Sequence, residues 1–328
     1  MGNNANLSPL KNLRADVPAA VVVALVAMPL CLGVALASGA PLISGLIAGV
    51  VGGLLVPLFS RSHLAVSGPT PAIVATVLVA MQVLPSFSAF LLAVVIAGGI
   101  QIVLGIVRAG VVAYFFPSAV IQGILSAIGI IIILKQFPYA IGFDLGEFGG
   151  QDFISAHGEN TFSGVIAALA HLEWGALLIS VLTLSILITW DKVAVLRKQT
   201  WLSGPLMAVV FGTLLNALLL YAVPELAVSG QNLVNLPIIH SFADLRGMLQ
   251  MPDWGMIGSK SVWVTAVALT FITSLESLLS IEAADKLDTY KRRTPLDREL
   301  LGQGIANVAS GLIGGLPVAA VIVRSTAN

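Results

Sequence analysis

Charge is what this sequence has least of. Asp, Glu, Lys and Arg make up 10% of its 328 residues, against about 25% in soluble globular chains. That is too little to clothe a chain of this length in water. Neither sign is in excess, with 16 basic and 16 acidic residues, so no basic surface for nucleic acid is available. The single cysteine, Cys31, excludes a disulfide framework and a Cys-based zinc cluster. His63, His157, His171 and His240 fall in connections without metal-ligand spacing, and no cofactor is expected. Walker sequences, nucleophile elbows and paired catalytic carboxylates are missing. Gly302-Gln303-Gly304 has neither the strand nor the downstream lysine of a nucleotide loop. ATP-driven pumping and membrane hydrolysis therefore lack the residues they need, and the chain is not expected to be an enzyme.

Apolar residues are abundant, at 57%, and they come in long runs. A bilayer core about 30 Å thick takes about 20 apolar helical residues. The runs are Val17 to Ala37, Leu42 to Phe59, Pro71 to Leu84, Ala89 to Val107, Ser118 to Leu134, Trp174 to Trp190 and Gly204 to Ala222. Val262 to Ile281 and Leu300 to Gly314 follow, then a tenth span starting at Val318. Pro71 to Leu84 is short for a full crossing. With the N-terminus inside the cell, alternation puts Lys11, Arg14, Arg61, Arg108, Lys192, Arg197, Lys198, Lys286, Lys291, Arg292, Arg293 and Arg298 on the inner side. Lys135, Arg246 and Lys260 fall outside, the asymmetry that the positive-inside rule expects. Pro29 interrupts the first run and further spans follow it, which argues against a cleaved signal peptide. The polar stretch Met1 to Pro9 is expected to be disordered. This reads as an all-α polytopic membrane protein embedded in a lipid bilayer.

Function in such proteins concentrates where apolar helices break or carry polar groups. Ser67-Gly68-Pro69-Thr70-Pro71 opens the short third span, with proline suited to a first helical turn. A helix starting inside the membrane presents unpaired N–H groups and a positive dipole end, which together hold anions. A loop-to-helix transition at the membrane surface is the plainer reading. Gly314-Gly315-Leu316-Pro317 opens the tenth span in the same style, followed by a small-residue helix. Interrupted segments at corresponding places in two halves point to the binding site of an inverted-repeat transporter. Glu276 lies mid-span in the eighth segment and is the one carboxylate placed deep in the apolar layer, with Ser277 and Ser280 near its face. Such an acid can carry a proton, contribute to a Na⁺ site, or make a structural hydrogen bond to another helix. Arg324, in the tenth run, either adds positive charge to the pocket or snorkels to the interface. Gly45, Gly49 and Gly53, and Gly311 with Gly315, are expected at close helix contacts.

The chain resembles the SulP/SLC26 family of anion transporters. Ala27-Met28-Pro29-Leu30 through Ala37-Ser38-Gly39 is similar to that family's first helix, and Val66-Ser67-Gly68-Pro69-Thr70 to the start of its third. Most specific is Ser274-Leu275-Glu276-Ser277-Leu278-Leu279 through Ala284-Asp285-Lys286, Leu301-Gly302-Gln303-Gly304, Asn307, Gly311, Gly314-Gly315-Leu316-Pro317 and Val323-Arg324-Ser325. The resemblance implies a 7+7 inverted repeat whose core domain moves against a gate domain in an elevator-like cycle. It implies an inner tail over residues 1–14, a first repeat over 15–222, an outer connection over 223–261 and the start of a second repeat over 262–328. Four more helices and a cytoplasmic STAS domain would follow, so the chain is expected to stop within its tenth helix.

The resemblance also implies an anion held between the third and tenth helix starts. Leu30 and Val34 would line it from the first helix, Thr70 and Pro71 from the third, and Ala320, Val321, Ile322 and Arg324 from the tenth. Glu276, with Ser280 beside it, would couple transport to H⁺ or Na⁺. The family's sodium-coupled bicarbonate branch has Asp and Thr where Glu276 and Ser280 stand, and a hydroxyl where Ile322 stands. Those departures favour proton coupling, or no obligatory coupling, over sodium. The expected activity is secondary transport of sulfate, bicarbonate or a dicarboxylate across the plasma membrane (a bacterial inner membrane), by a homodimer in the full-length protein. The rivals are a sodium-coupled bicarbonate transporter, an anion channel, which needs a continuous polar pore, and a nucleobase permease, which needs more polar groups in the eighth and tenth spans.

Overall fold

The computed structural model describes residues 13–110, 137–143, 172–193, 204–228, 249–288 and 291–321, with isolated positions between them (123, 126, 130, 133–134, 166, 168–170, 196 and 247). The long helices among these are α1 (Leu13–Ala37), α2 (Leu42–Ser60), α3 (Val74–Val83), α4 (Phe87–Ile106), α5 (Trp174–Lys192), α6 (Gly204–Ala222), α7 (Lys260–Leu287) and α8 (Leu296–Leu312). Two short strands complete the site region, β1 (Ser67–Gly68) and β2 (Ala319–Ala320). Among the described residues, α2, α4 and Lys260–Asp285 of α7 are long and apolar enough to cross a membrane. Shorter apolar helices cover Ala27–Ala37, Pro71–Val83, Trp174–Trp190 and Met207–Ala222.

Most expected spans are found within a few residues of their predicted limits. α7 is longer at both ends than Val262 to Ile281, and α8 starts at Leu296 rather than Leu300. That earlier start draws Asp297, Arg298 and Glu299 into the helix, with both acids at its positive end. The expected tenth helix does not begin at Val318: Ala319–Ala320 is extended and pairs as β2. Pairing with β1 holds this backbone extended and the Ala320 N–H is bonded to Ser277 Oγ of α7, which favours the strand over a helical turn. The fifth span (Ser118 to Leu134) lies largely outside the described residues. The Met1 to Pro9 tail, Ile322 and Arg324 lie outside them altogether.

The packed centre is built on α4 and α8. Phe90, Leu91, Leu92, Ala93 and Val94 of α4 are fully buried, and the helices meet through glycine. A Cβ on Gly98 would lie 2.6 Å from the Gly304 carbonyl oxygen, and one on Gly304 would lie 2.7 Å from that of Gly98. Gly311 faces Leu91 and Val95 on α4, while Gly302 faces Val56 and Ser60 on α2. The two glycines of Gly302-Gln303-Gly304 thus let α8 approach two helices at once, a packing role for a sequence that superficially suggests a phosphate loop.

α2 meets α1 where Gly45 and Gly49 sit against Cys31. Gly53 is not part of that contact, because a Cβ there would meet nothing within 4 Å. The small-residue face turns instead through Gly52, where a Cβ would lie 2.8 Å from the Ser67 carbonyl oxygen. α5 and α6 pack on each other, with Gly212 against Thr183. Val50, Leu54 and Leu58 form an exposed stripe on α2, as do Val210, Leu214 and Leu218 on α6. Such stripes suit contact with lipid rather than water.

Candidate functional site

The site region is a crossing of two extended segments between helices. β1 and β2 pair antiparallel, Ser67 opposite Ala320 and Gly68 opposite Ala319. One further bond, Val321 N–H to the Val66 carbonyl at 2.9 Å, extends the ladder. The chain leaves β1 through Pro69 and Thr70 and enters a single 3-10 turn, Pro71–Ile73, that runs into α3. Proline at the first position fixes φ where its missing N–H costs nothing. Together these features break the third span where the sequence predicted a break.

Thr70 occupies the N-cap of that turn with extended backbone (φ −119°, ψ 153°), yet its side chain makes no capping bond. Its hydroxyl donates to Glu276 Oε2 of α7 at 2.6 Å instead. Threonine is a good cap because its oxygen accepts from the first helical N–H groups. Turned to Glu276, it leaves those donors without a capping side chain at the positive end of a helix.

The second strand is held by amides and hydroxyls. Asn307 on α8 reads both backbone groups of Val318: its Oδ1 accepts from Val318 N–H at 2.6 Å, and its Nδ2 donates to the Val318 carbonyl at 3.0 Å. The same Nδ2 donates to Gln101 Oε1 at 2.7 Å. Gln101 Nε2 in turn donates to Thr273 and Ser274 of α7, each at 3.0 Å. Ala320 N–H donates to Ser277 Oγ at 3.1 Å. Ser310 Oγ donates to the Leu316 carbonyl at 2.7 Å, and Gly314, at φ +91°, makes the turn between α8 and this segment. A chain of buried polar groups thus links α4, α7 and α8 to β2.

The structure brings several of the residues named from sequence to this crossing. Thr70 and Ala320 are fully buried and Val321 nearly so, while Pro71 is exposed. Val34 joins the core cluster with Ile73, Val74 and Val77 of the third span, and Leu30 is part-buried one turn earlier on α1. Glu276 is part-buried and meets Thr70, and Ser280 is buried one turn further along α7. Ile322 and Arg324 lie outside the described residues.

Sequence reasoning passed over Glu299. It is a second buried carboxylate, fully enclosed at the start of α8, whereas Glu276 was expected to be alone in the apolar layer. It also passed over Gln101, Gln303 and Asn307 as partners, and over Ser277 as a support for Ala320. The signal available was one of spacing, since Glu299, Gln303, Asn307 and Ser310 recur at helical intervals on one buried face of α8. Among the described residues no group of three or more His, Cys, Asp or Glu could hold a metal ion.

The profile of the Sulfate permease family matches residues 13–328. The chain belongs to that family. As a family member it is similar to the candidate sulfate transporter YvdB of Bacillus subtilis (strain 168), 28% identical over 324 residues, which are 97% of this chain and 56% of YvdB. The bicarbonate transporter BicA of Synechocystis sp. (strain PCC 6803) is 28% identical over 328 residues, covering 97% of this chain and 53% of BicA. The family member therefore spans about half the length of the curated relatives it matches. The solved transmembrane domain of a cyanobacterial BicA aligns with a TM-score of 0.78 and 24% identity, over 97% of this chain and 77% of that one. The fold is thus that of a mostly helical, multi-pass membrane protein, and its structural neighbours have the 7+7 inverted-repeat architecture. The family comprises membrane transporters, not enzymes.

Proposed function

We propose that this family member moves a small anion across the plasma membrane by secondary active transport, with the anion held between the start of α3 and the end of β2. The observation that carries this reading is Thr70: its hydroxyl is committed to Glu276, and the helix start behind it has no capping side chain. Peptide N–H groups at a helix start bind anions without a basic side chain, which suits a crossing with no lysine or arginine among its described residues. On this reading Leu30, Val34, Thr70 and Pro71 face the anion from one side and Ala320 and Val321 from the other. The roles expected for Ile322 and Arg324 rest on the resemblance alone, because both lie outside the described residues. Sulfate, bicarbonate and dicarboxylates all fit a backbone-dipole site.

Glu276 is the coupling group, with Ser280 beside it, and the coupled ion is a proton. An acid whose charge is met by a hydroxyl rather than a cation suits a group that gains and loses a proton during the cycle. Helices α1–α4, α7 and α8 with the β1–β2 crossing move together as a core against α5 and α6, which pack mainly on each other, in an elevator-like cycle. The N-terminus is cytoplasmic, residues 15–222 and the part from 262 onward form the two repeats, and the full-length protein is a homodimer.

Uptake of radiolabelled sulfate, bicarbonate and succinate into proteoliposomes tests this, at two external pH values with and without Na⁺. Saturable flux of one of these anions that rises at acid pH, and loses that response in Glu276→Gln, is the expected result. Flux that requires Na⁺ would replace the proton with sodium, the coupling expected if this chain worked as a sodium-driven bicarbonate transporter. Absence of flux for all three anions would remove the reading.

A further inference from the structure

Glu299 is the buried acid that the proposed cycle does not use. It is 0% exposed, as is Gln303 one turn further along α8, and both lie beside Ser60 and Ser67, at 1% and 2%. Ser60 Oγ donates to Glu299 Oε2. Gln303 Nε2 donates one hydrogen to Glu299 Oε1 at 2.7 Å and the other to Ser67 Oγ at 2.8 Å. Among the described residues the ion pair is Arg292 with Asp288, on the α7–α8 connection, and no cation reaches Glu299. Burying an acid without a cation is costly, and an apolar residue would fill the same space without that cost.

What the acid does there follows from the amide it holds. A glutamine amide has a donor end and an acceptor end of nearly the same shape, and its surroundings decide which way it faces. Two acceptors flank Gln303 Nε2, the Glu299 carboxylate and the Ser67 hydroxyl oxygen. Gln303 Oε1 has no partner among the described residues, so the donor end alone sets the orientation. Without the carboxylate, that amide would lose one of its two fixed contacts. Ser67 is the β1 residue opposite Ala320, and Gly52 packs so close to its carbonyl oxygen that a Cβ there would lie 2.8 Å from it. A loosened Ser67 would therefore shift the ladder that sets the start of α3.

We propose that Glu299 is a positioning residue for the anion site, acting through Gln303 on Ser67 of β1. The β1–α3 turn is then tied to an acid at each end, to Glu299 through Gln303 at Ser67 and to Glu276 directly at Thr70. The proposal rests on the reading that the β1–β2 crossing holds the anion.

The test uses Glu299→Ala, Glu299→Gln, Ser67→Ala and the Glu299→Ala/Ser67→Ala pair in the purified protein, with two measurements. The first is the concentration dependence of whichever labelled anion (sulfate, bicarbonate or succinate) the unaltered protein transports. Glu299→Ala should raise the half-saturating concentration about tenfold while changing the maximal rate less. Glu299→Gln, which can still accept from Gln303 Nε2, should restore most of the affinity. The double variant should be no worse than Glu299→Ala, because both changes break one connection. The second measurement, hydrogen exchange of the peptide covering residues 64–72 in detergent, needs no transport. Exchange there should quicken about tenfold in Glu299→Ala and no further in the double variant.

Multiplying effects in the double variant, or unchanged exchange at 64–72 in a folded Glu299→Ala, would overturn the positioning role. If the unaltered protein transports none of the three anions, the function reading fails, and exchange alone decides whether Glu299 holds β1.

Discussion

Thr70 Oγ1 and Glu276 Oε2 stand 2.6 Å apart, joining the start of the third span to α7 across 206 positions of sequence. Glu276→Gln keeps an oxygen for the threonine to donate to, so the fold should survive while the titratable group is gone. Uptake in that variant should lose its dependence on external pH, with the melting temperature in detergent nearly unchanged. Thr70→Val keeps the shape and removes the donor, leaving the acid without its hydroxyl. That change should cost about 1–3 kcal/mol, the usual penalty for an orphaned buried acceptor, and lower the melting temperature. A Glu276→Gln protein with the parent's pH profile would remove Glu276 from the coupling role.

Two glycines of one helix give a sharp internal comparison. On α2, a Cβ at Gly45 would collide with the Cys31 carbonyl oxygen and lie 2.9 Å from the Ala35 Cβ, whereas one at Gly53 would meet nothing within 4 Å. Gly45→Ala must push α1 away from α2 and should destabilise by about 1–3 kcal/mol, the range for overpacking. Gly53→Ala should stabilise by about 0.5–1 kcal/mol, because alanine loses less backbone freedom in a helix. Thermal unfolding of the two proteins in the same detergent checks both signs. Equal effects would show that α1 and α2 do not meet at Cys31.

The helices were legible because a run of apolar residues is a local signal, and α6 begins and ends where its run does. The break at Pro69-Thr70-Pro71 was legible for the same reason, since proline states its own backbone requirement. The strand at Ala319–Ala320 was not. Alanine and valine after proline read equally well as a helix, and what makes them extended is a partner at Ser67 and Gly68, more than 250 residues away. Glu299 was missed because it stands at the edge of an apolar run beside Asp297 and Arg298, where a charge looks solvated. Its burial comes from Ser60 and Gln303 closing over it. Gly53 fits a four-residue spacing with Gly45 and Gly49, yet the contact turns away through Gly52.

Ser277 and Ser280 sit one turn apart on α7 and should behave differently. The Ser277 hydroxyl accepts from Ala320 N–H at 3.1 Å, so Ser277→Ala leaves a buried backbone donor unpaired, at a cost of about 1–3 kcal/mol. The melting temperature should fall and the half-saturating anion concentration should rise, because β2 loses its anchor on α7. Ser280 has no such bond to β2, and Ser280→Ala should leave the melting temperature closer to the parent's. Its effect, if it assists Glu276, should appear in the response of uptake to external pH or Na⁺. Identical melting of the two variants would mean that Ser277 does not hold β2.

Asn307 offers the most direct test of how β2 is held, because one side chain serves three partners. Its Nδ2 donates to the Val318 carbonyl and to Gln101 Oε1, and its Oδ1 accepts from Val318 N–H. Asn307→Asp preserves size and shape but places an oxygen where two acceptors already point. Two hydrogen bonds are lost and replaced by repulsion in a fully packed setting, where an unsatisfied charged group costs more than a neutral one. Asn307→Ala loses all three bonds but introduces no charge, and the space it leaves can admit water. The aspartate variant should therefore melt at or below the alanine variant, despite being the closer mimic in shape. Both should quicken hydrogen exchange at residues 316–321, and Gln101→Ala should do so less, since its hydrogen bonds go to Thr273, Ser274 and Asn307 rather than to Val318. An aspartate variant as stable as the parent would mean that the Asn307 amide does not clamp Val318.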